Sequence, residues 1–365
     1  MLSSGDSYSD SHFDPAGAQP SPQQPLGNGN NVNADTAFVY GQWITDLTLN
    51  FNASSVLTYN LAKSGSVLDK KIVTRNSDII NDQINGVFKD DYAGKKDNGD
   101  GKGVWKPKST LFTFFVGVND VEISAENSDE AERDETMTKV FASFAQALQT
   151  LYEAGARNFL FLGAPAMNLG PGARPELKTI VPDFNDRLKS MVQDFQKSAG
   201  SKLQAIERGG GGRGGNADAV TTFFFDTAQV FDEIIKDTAV TEDTKGITIT
   251  DKYCDQYTFS HDEDIAANQE KGDYKGEGCD GTFAQYFWKD GLHIMSTVHR
   301  AIARQVAKGL SEDGGRDAAG GGGGGPGGPC AGGDCWWEEQ MGVAYPRKNR
   351  RGLSMRLRMF RGVWR

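Results

Sequence analysis

No stretch of the 365-residue chain approaches the ~20 consecutive apolar residues that a membrane-spanning helix needs, which excludes a helical span. Basic charge is scarce as well: 39 Lys and Arg stand against 49 Asp and Glu, for a net charge of −10. Phosphate binding needs a basic face, so nucleic acid is excluded as a general partner. The shortage is sharper than the total suggests. Eight basic residues and no acid lie between Arg347 and Arg365, leaving 31 basic against 49 acidic residues elsewhere. There are four cysteines and four histidines. No two cysteines form a CxxC pair, and no histidine sits beside them at zinc-ligand spacing, so no metal or organic cofactor is expected. In the first residues, Met-Leu-Ser-Ser-Gly-Asp-Ser, no signal peptide is visible, since they show no basic or apolar leader.

What is present reads as an alternation of strands and helices. Val56 to Asn60 suits a short strand, and Leu111 to Val116, Asn158 to Leu162 and Thr221 to Phe225 are solid apolar runs expected of strands buried on both faces. Between them, helices are expected over Thr36–Leu49 (Phe38, Trp43, Ile44 and Leu47 on one face), Glu130–Ala154 with Gly155 as its stop, and Asp183–Lys197. A last helix follows Ser296, with Val298, Ile302 and Val306 on one face. This order predicts a three-layer α/β/α sandwich around a mostly parallel sheet. Residues 14–35 and 89–108 read as solvated loops, and 207–216 as a flexible insertion. One domain spans 1–310. Residues 311–365 form a glycine-rich and then arginine-rich tail, expected to be disordered because so much glycine is costly to order.

Few residues can carry acid–base chemistry. His293 lies in Trp288-Lys289-Asp290-Gly291-Leu292-His293, where a turn can fold the Asp290 carboxylate back onto the imidazole. His299 falls inside the last helix, His261 in a polar loop, and His12 in a Ser/Asp-rich turn, all sites of bland packing or exposure. Cys254 and Cys279 flank a polar loop, a spacing that suits a disulfide in an oxidising compartment about as well as two thiols. Asn52-Ala53-Ser54 would permit glycosylation in a secreted protein. Asp120 and Asp226 read as structural neighbours and helix caps.

Four blocks occur in order: Gly5-Asp6-Ser7, Asn60 to Gly65 (NLAKSG), Gly117-Val118-Asn119-Asp120, and Asp290-Gly291-Leu292-His293. Each sits at an expected strand end or helix entry, and together they resemble the GDSL (SGNH) hydrolase superfamily over about residues 5–310. The resemblance implies a flavodoxin-like sheet and a serine esterase with Ser7 as nucleophile, His293 as general base and acid, and Asp290 as the group that holds the imidazole tautomer. It implies an oxyanion hole of the Ser7 and Gly65 backbone N–H groups and the Asn119 amide. Physics agrees: Gly65 lets the backbone approach a substrate closely, and Asn119 is a neutral donor that cannot titrate. No G-x-S-x-G elbow competes with this reading.

Further segments, among them Thr110 to Asp120, Phe159 to Pro165, Phe224 to Thr227, Cys254 with Cys279, and Tyr286 to His293, are similar to secreted fungal carbohydrate acetylesterases of the carbohydrate esterase family 16 type. That similarity implies acetylated sugars or oligosaccharides as substrate, secretion, and a monomer. Trp288 and Trp105 are then candidate stacking faces for a sugar, or else core residues. A lipase- or phospholipase-type esterase and a non-catalytic carbohydrate-binding relative are the alternatives. The family carries a strand directly before the GDS block. Met1 to Ser4 do not read as one, so the first strand is expected to be missing or truncated, along with any leader.

Overall fold

A single leucine followed by two serines and a glycine makes an unpromising strand, yet Leu2–Gly5 forms β1, with all four residues buried. In the computed structural model, which describes residues 1–30, 41–52, 55–95, 99–102, 105–207, 220–258 and 274–312, this strand lies inside the sheet. It pairs in parallel with β2 (Tyr59–Asn60) on one side and β3 (Leu111–Phe115) on the other. The expectation of a missing first strand is therefore corrected. Neighbours on both sides satisfy its backbone, so it needs little side-chain bulk of its own. β4 (Asn158–Leu162) and β5 (Thr221–Phe225) continue the sheet in parallel, giving the order β2-β1-β3-β4-β5.

Successive strand residues face opposite sides, and the aromatic contacts show which helices cover each side. Phe112 and Phe114 of β3 and Phe159 and Phe161 of β4 form one row, with Phe114 and Phe161 stacked at 5.3 Å. Phe144 of α3 (Glu130–Glu153) and Phe195 of α4 (Leu177–Glu207) pack onto that row. Phe115 points the other way and meets Trp43 of α1 (Trp43–Leu49). On that face α1 packs against the last helix, α6 (Ser296–Glu312), where Val298 and Ile302 are fully buried. Helices thus cover both faces, as the alternation of elements implies, in a three-layer α/β/α sandwich.

The helices differ from expectation in detail. Asp129 caps α3 by accepting from the Ala131 and Glu132 N–H groups, and Gly155 ends it. α4 begins at Leu177, ahead of the expected start, and carries Pro182 within it; Leu177, Ile180 and Val181 of this early stretch are buried. Within the described residues, α1 begins only at Trp43, after extended Gln42. Two helices were not expected, the second of them running into the expected loop at residue 89. One is α2 (Val118–Ser124); the other is a wide π-type helix, Ile79–Tyr92, capped by Asp78. α5 (Thr227–Lys236) follows the Asp226 cap, which accepts from Gln229 N–H. The expected tail beyond Glu312, the insertion after Glu207, residues 36–40 of the expected first helix, His261 and the sequon residues Ala53 and Ser54 lie outside the described residues.

The chain runs from β1 to β2 on one side and later returns to β3 on the other. The order of strands therefore reverses between β1 and β3. In open parallel sheets, the crevice beyond the carboxyl ends of strands at such a reversal is where ligands bind. Ser7 and Asn119 both follow strands that end there.

Candidate active site

β1 ends at Gly5, which lies so close to its neighbours that a Cβ there would sit 2.8 Å from the Phe115 carbonyl oxygen. The chain then turns sharply. Asp6 accepts at its carbonyl from the Ser9 and Asp10 N–H groups and at Oδ1 from the Tyr8 N–H. This turn lifts Ser7 to the rim of the sheet, where it is 9% exposed. α1 braces it: Gln42 Nε2 donates to the Ser7 carbonyl at 3.2 Å, and Trp43 Nε1 donates to Ser9 Oγ at 2.9 Å.

The opposing loop is a tight hairpin. Trp288 and Ile294 bridge in antiparallel fashion, and the Lys289 N–H donates to the His293 carbonyl at 2.8 Å. Inside it, Asp290 Oδ1 accepts from the Leu292 and His293 N–H groups at 2.7 and 2.6 Å. Asp290 Oδ2 lies 2.9 Å from His293 Nδ1, and His293 Nε2 lies 2.9 Å from Ser7 Oγ. A hydroxyl, an imidazole and a carboxylate thus form one hydrogen-bonded line across residues 286 apart in sequence. Burial raises the Asp290 carboxyl, but the hydrogen bonds and charge of His293 and the two backbone N–H groups outweigh it and hold the carboxyl below its usual range. A group kept ionised in this way can hold the proton of His293 on Nδ1, leaving Nε2 to accept from Ser7.

Two further segments arrive at the same place. After β2, the Leu61 and Lys63 N–H groups donate to the Ser3 and Gly5 carbonyls, and Ser64 ties to Asp10 through both its N–H and its hydroxyl. Gly65 then takes a left-handed φ of +78°, which favours glycine, and a Cβ there would meet open space. Asn119, at the start of α2, donates from Nδ2 to the Ser66 carbonyl at 2.9 Å, which uses one of its two amide hydrogens. Among the described residues, the backbone N–H groups of Ser7 and Gly65 have no hydrogen-bond acceptor. Ser7, Asp290 and His293 thus lie in line just beyond the carboxyl end of β1, and the segment carrying Gly65 is tied to Asn119 through Ser66 and to the turn after Ser7 through Asp10.

The two tryptophans do not. Trp288 is fully buried against Phe231 and Phe287, with Nε1 donating to the Thr250 carbonyl. It anchors the hairpin that carries His293 and offers no face to a ligand. Trp105 packs on Phe88 and Phe112, level with Leu2 toward the amino ends of the strands. Both candidate stacking roles are therefore corrected: the rings are structural. Cys254 and Cys279 form a disulfide.

Sequence reasoning left Asp120 as a structural neighbour and gave no role in the site to Tyr8 or Asp6. Asp6 is fully buried and its carboxyl is pushed up to about 7, chiefly by burial, with the Asp120 charge adding to it. Asp120 is likewise raised to about 7 by burial, helped by the charges of Asp69 and Asp78, while it accepts from the Leu68 N–H. His299 lies buried beneath Tyr8, and burial lowers its pKa to about 3. Acidic residues within an apolar setting gave no periodic signal that could have marked them. Among the described residues, no group of three or more His, Cys, Asp or Glu side chains is placed to hold a metal ion, and no helix is long and apolar enough to cross a membrane.

The family model for GDSL-like lipases and acylhydrolases matches residues 4–306. An acetylesterase from Thermothelomyces thermophilus is 33% identical over 173 residues, which cover 47% of this chain and 55% of that protein. The chain thus spans about half the length of this relative. Among solved structures, a variant of an acetyl-xylooligosaccharide esterase from Geobacillus aligns with 76% of this chain and 96% of its own, at 11% identity and a TM-score of 0.38. An acetylxylan esterase from Geobacillus stearothermophilus aligns with 67% and 84%, at 13% identity and a TM-score of 0.34.

Proposed function

Because the chain belongs to the GDSL-like lipase and acylhydrolase family, we propose that it hydrolyses carboxylic esters with Ser7 as nucleophile, and that its substrates are acetylated carbohydrates. The observation that carries the reading is the line from Ser7 Oγ to His293 Nε2 and from His293 Nδ1 to Asp290, each step 2.9 Å. His293 takes the Ser7 proton as the oxygen attacks the acyl carbon, and Asp290 stabilises the imidazolium. The tetrahedral oxyanion is held by the Ser7 and Gly65 N–H groups and the free amide hydrogen of Asn119. His293 then gives its proton to the departing alcohol. A water molecule, activated by the same imidazole, releases the acid.

The carbohydrate reading takes in a groove of about 940 Å³ whose wall includes Ser64, the neighbour of Gly65, and which is not lined by Ser7, Asn119, Asp290 or His293. Its walls mix groups that can hydrogen-bond hydroxyls, such as Asp10, His12, Lys63, Asn76 and Asp90, with apolar ones, Phe13, Leu61 and Val87, against which a sugar ring can lie. The similar protein from Thermothelomyces thermophilus carries the name acetylesterase, which favours a short acyl group. The Cys254–Cys279 bridge supports a secreted protein, since disulfides persist in oxidising compartments. The test is a panel of acetyl, butyryl and octanoyl esters with an acetylated xylo-oligosaccharide. Release of acetate from the oligosaccharide, with kcat/KM falling as the acyl chain lengthens, is expected. A preference for octanoyl esters would overturn the substrate assignment while leaving the hydrolase reading intact.

A further inference from the structure

Two chain segments must meet for the Ser7–His293 hydrogen bond to exist, and the residue next to the nucleophile joins them. Tyr8 is fully buried. Its hydroxyl donates to the Leu292 carbonyl at 2.6 Å, across 284 residues of sequence. Its ring lies alongside the His293 imidazole at 5.7 Å with 28° between planes, and is held from other sides by Phe115 at 5.2 Å and His299 at 5.6 Å. The Tyr8 N–H is itself fixed on Asp6 Oδ1 at 2.9 Å.

We propose that Tyr8 is a positioning residue for the base: its hydroxyl and ring set where His293 stands relative to Ser7. The proposal rests on the triad reading above. The bonds from Asp290 and Lys289 fix the shape of the 289–293 hairpin, because they begin and end within it. They do not set its distance from β1. The Tyr8–Leu292 bond runs directly from the residue after the nucleophile to the residue before the base. Burial, with the charges of Asp290 and Asp6, pushes the phenol well above its usual pKa, so it remains a donor throughout the working pH range. Without that donor the Leu292 carbonyl loses its anchor, the hairpin can move away, and the catalytic hydrogen bond lengthens. A misplacement of this kind slows proton transfer and leaves substrate binding alone.

The test compares Tyr8→Phe, which keeps the ring and loses the hydroxyl, with Tyr8→Leu, which loses both, and with replacement of Tyr8 by 4-aminophenylalanine, which returns an N–H donor. Phe144→Leu, on the opposite face of the sheet, serves as a packing control. Active sites are counted by fluorophosphonate labelling, so that kcat is expressed per reactive serine. Tyr8→Phe should lower kcat per labelled site about ten-fold, the rate equivalent of one hydrogen bond of about 1.4 kcal/mol, with KM little changed. Tyr8→Leu should lower it further, and the amino variant should recover most of the loss. Phe144→Leu should lower Tm while kcat per labelled site stays near wild type. Wild-type kcat per labelled site in Tyr8→Phe, whatever its Tm, would overturn the proposal. A wild-type protein that takes no label would instead sink the hydrolase reading, and the positioning role with it.

Discussion

Replacing Asp290 by asparagine tests how the hairpin sets the tautomer of His293. Asparagine is nearly isosteric with aspartate and retains one oxygen. In the structure Asp290 Oδ1 is the atom that accepts from the Leu292 and His293 N–H groups at 2.7 and 2.6 Å. These two bonds will hold the asparagine oxygen in place and preserve the hairpin. The new NH2 group must then occupy the Oδ2 position, 2.9 Å from His293 Nδ1. A donor now faces Nδ1, so Nδ1 has to accept and the ring proton moves to Nε2. With Nε2 protonated, the imidazole cannot accept the proton of Ser7 Oγ, 2.9 Å away. The expected loss is on the order of 10⁴-fold in kcat with KM little changed. The damage should be milder than for Ser7→Ala or His293→Ala, which remove the reacting groups themselves. Steady-state hydrolysis of p-nitrophenyl acetate measures the rate, and far-UV circular dichroism with a thermal melt confirms that the fold is retained. A folded Asp290→Asn protein within ten-fold of wild type would refute the tautomer argument.

Two further outcomes follow from the same geometry. Asn119→Ala should cost about 10²–10³-fold in kcat through loss of one oxyanion donor, read by the same assay; a loss below five-fold would remove Asn119 from that role. The second outcome concerns Asp6, whose folded pKa of about 7 lies above its ordinary 3.8. The native state therefore keeps a proton that the unfolded chain releases, and the resulting stabilisation is complete below about 3.8 and lost as pH rises through about 7. Asp6→Asn keeps the acceptor for the Tyr8 N–H and is neutral at every pH. Its stability relative to wild type should thus increase from pH 4.5 to pH 8 in urea denaturation, and an equal difference at both pH values would contradict the burial argument.

Most of the fold could be read from the sequence wherever strands are solid apolar runs. Asn158–Leu162 and Thr221–Phe225 fall where expected: every residue of the first is buried, and in the second, an edge strand, Thr222 and Phe223 are buried and the rest half-buried. β1 was illegible for the opposite reason: Ser3 and Ser4 are buried through their backbone pairing, and composition cannot report that. The π-type helix Ile79–Tyr92 hides its face because its wide turns depart from the 3.6-residue period: Ile79, Ile84, Phe88 and Tyr92 are buried at spacings of five, four and four residues. Ser7, Asp290 and His293 were singled out by the resemblance of four ordered blocks to a known family, and the structure brings the three side chains within hydrogen-bonding distance. The place of Trp288 was not legible, because an aromatic beside a functional histidine reads alike whether it lines a site or anchors the loop beneath it. Tyr8 was passed over because its partner at Leu292 is a backbone carbonyl, a group that every residue carries.

The most direct measurement is reaction of the full chain with a fluorophosphonate probe, followed by mass spectrometry of the labelled peptide. A single adduct on Ser7, absent in Ser7→Ala and strongly slowed in His293→Ala, is the predicted result. An intact, folded protein that takes no label, or one labelled at another serine while Ser7 stays unmodified, would contradict the account.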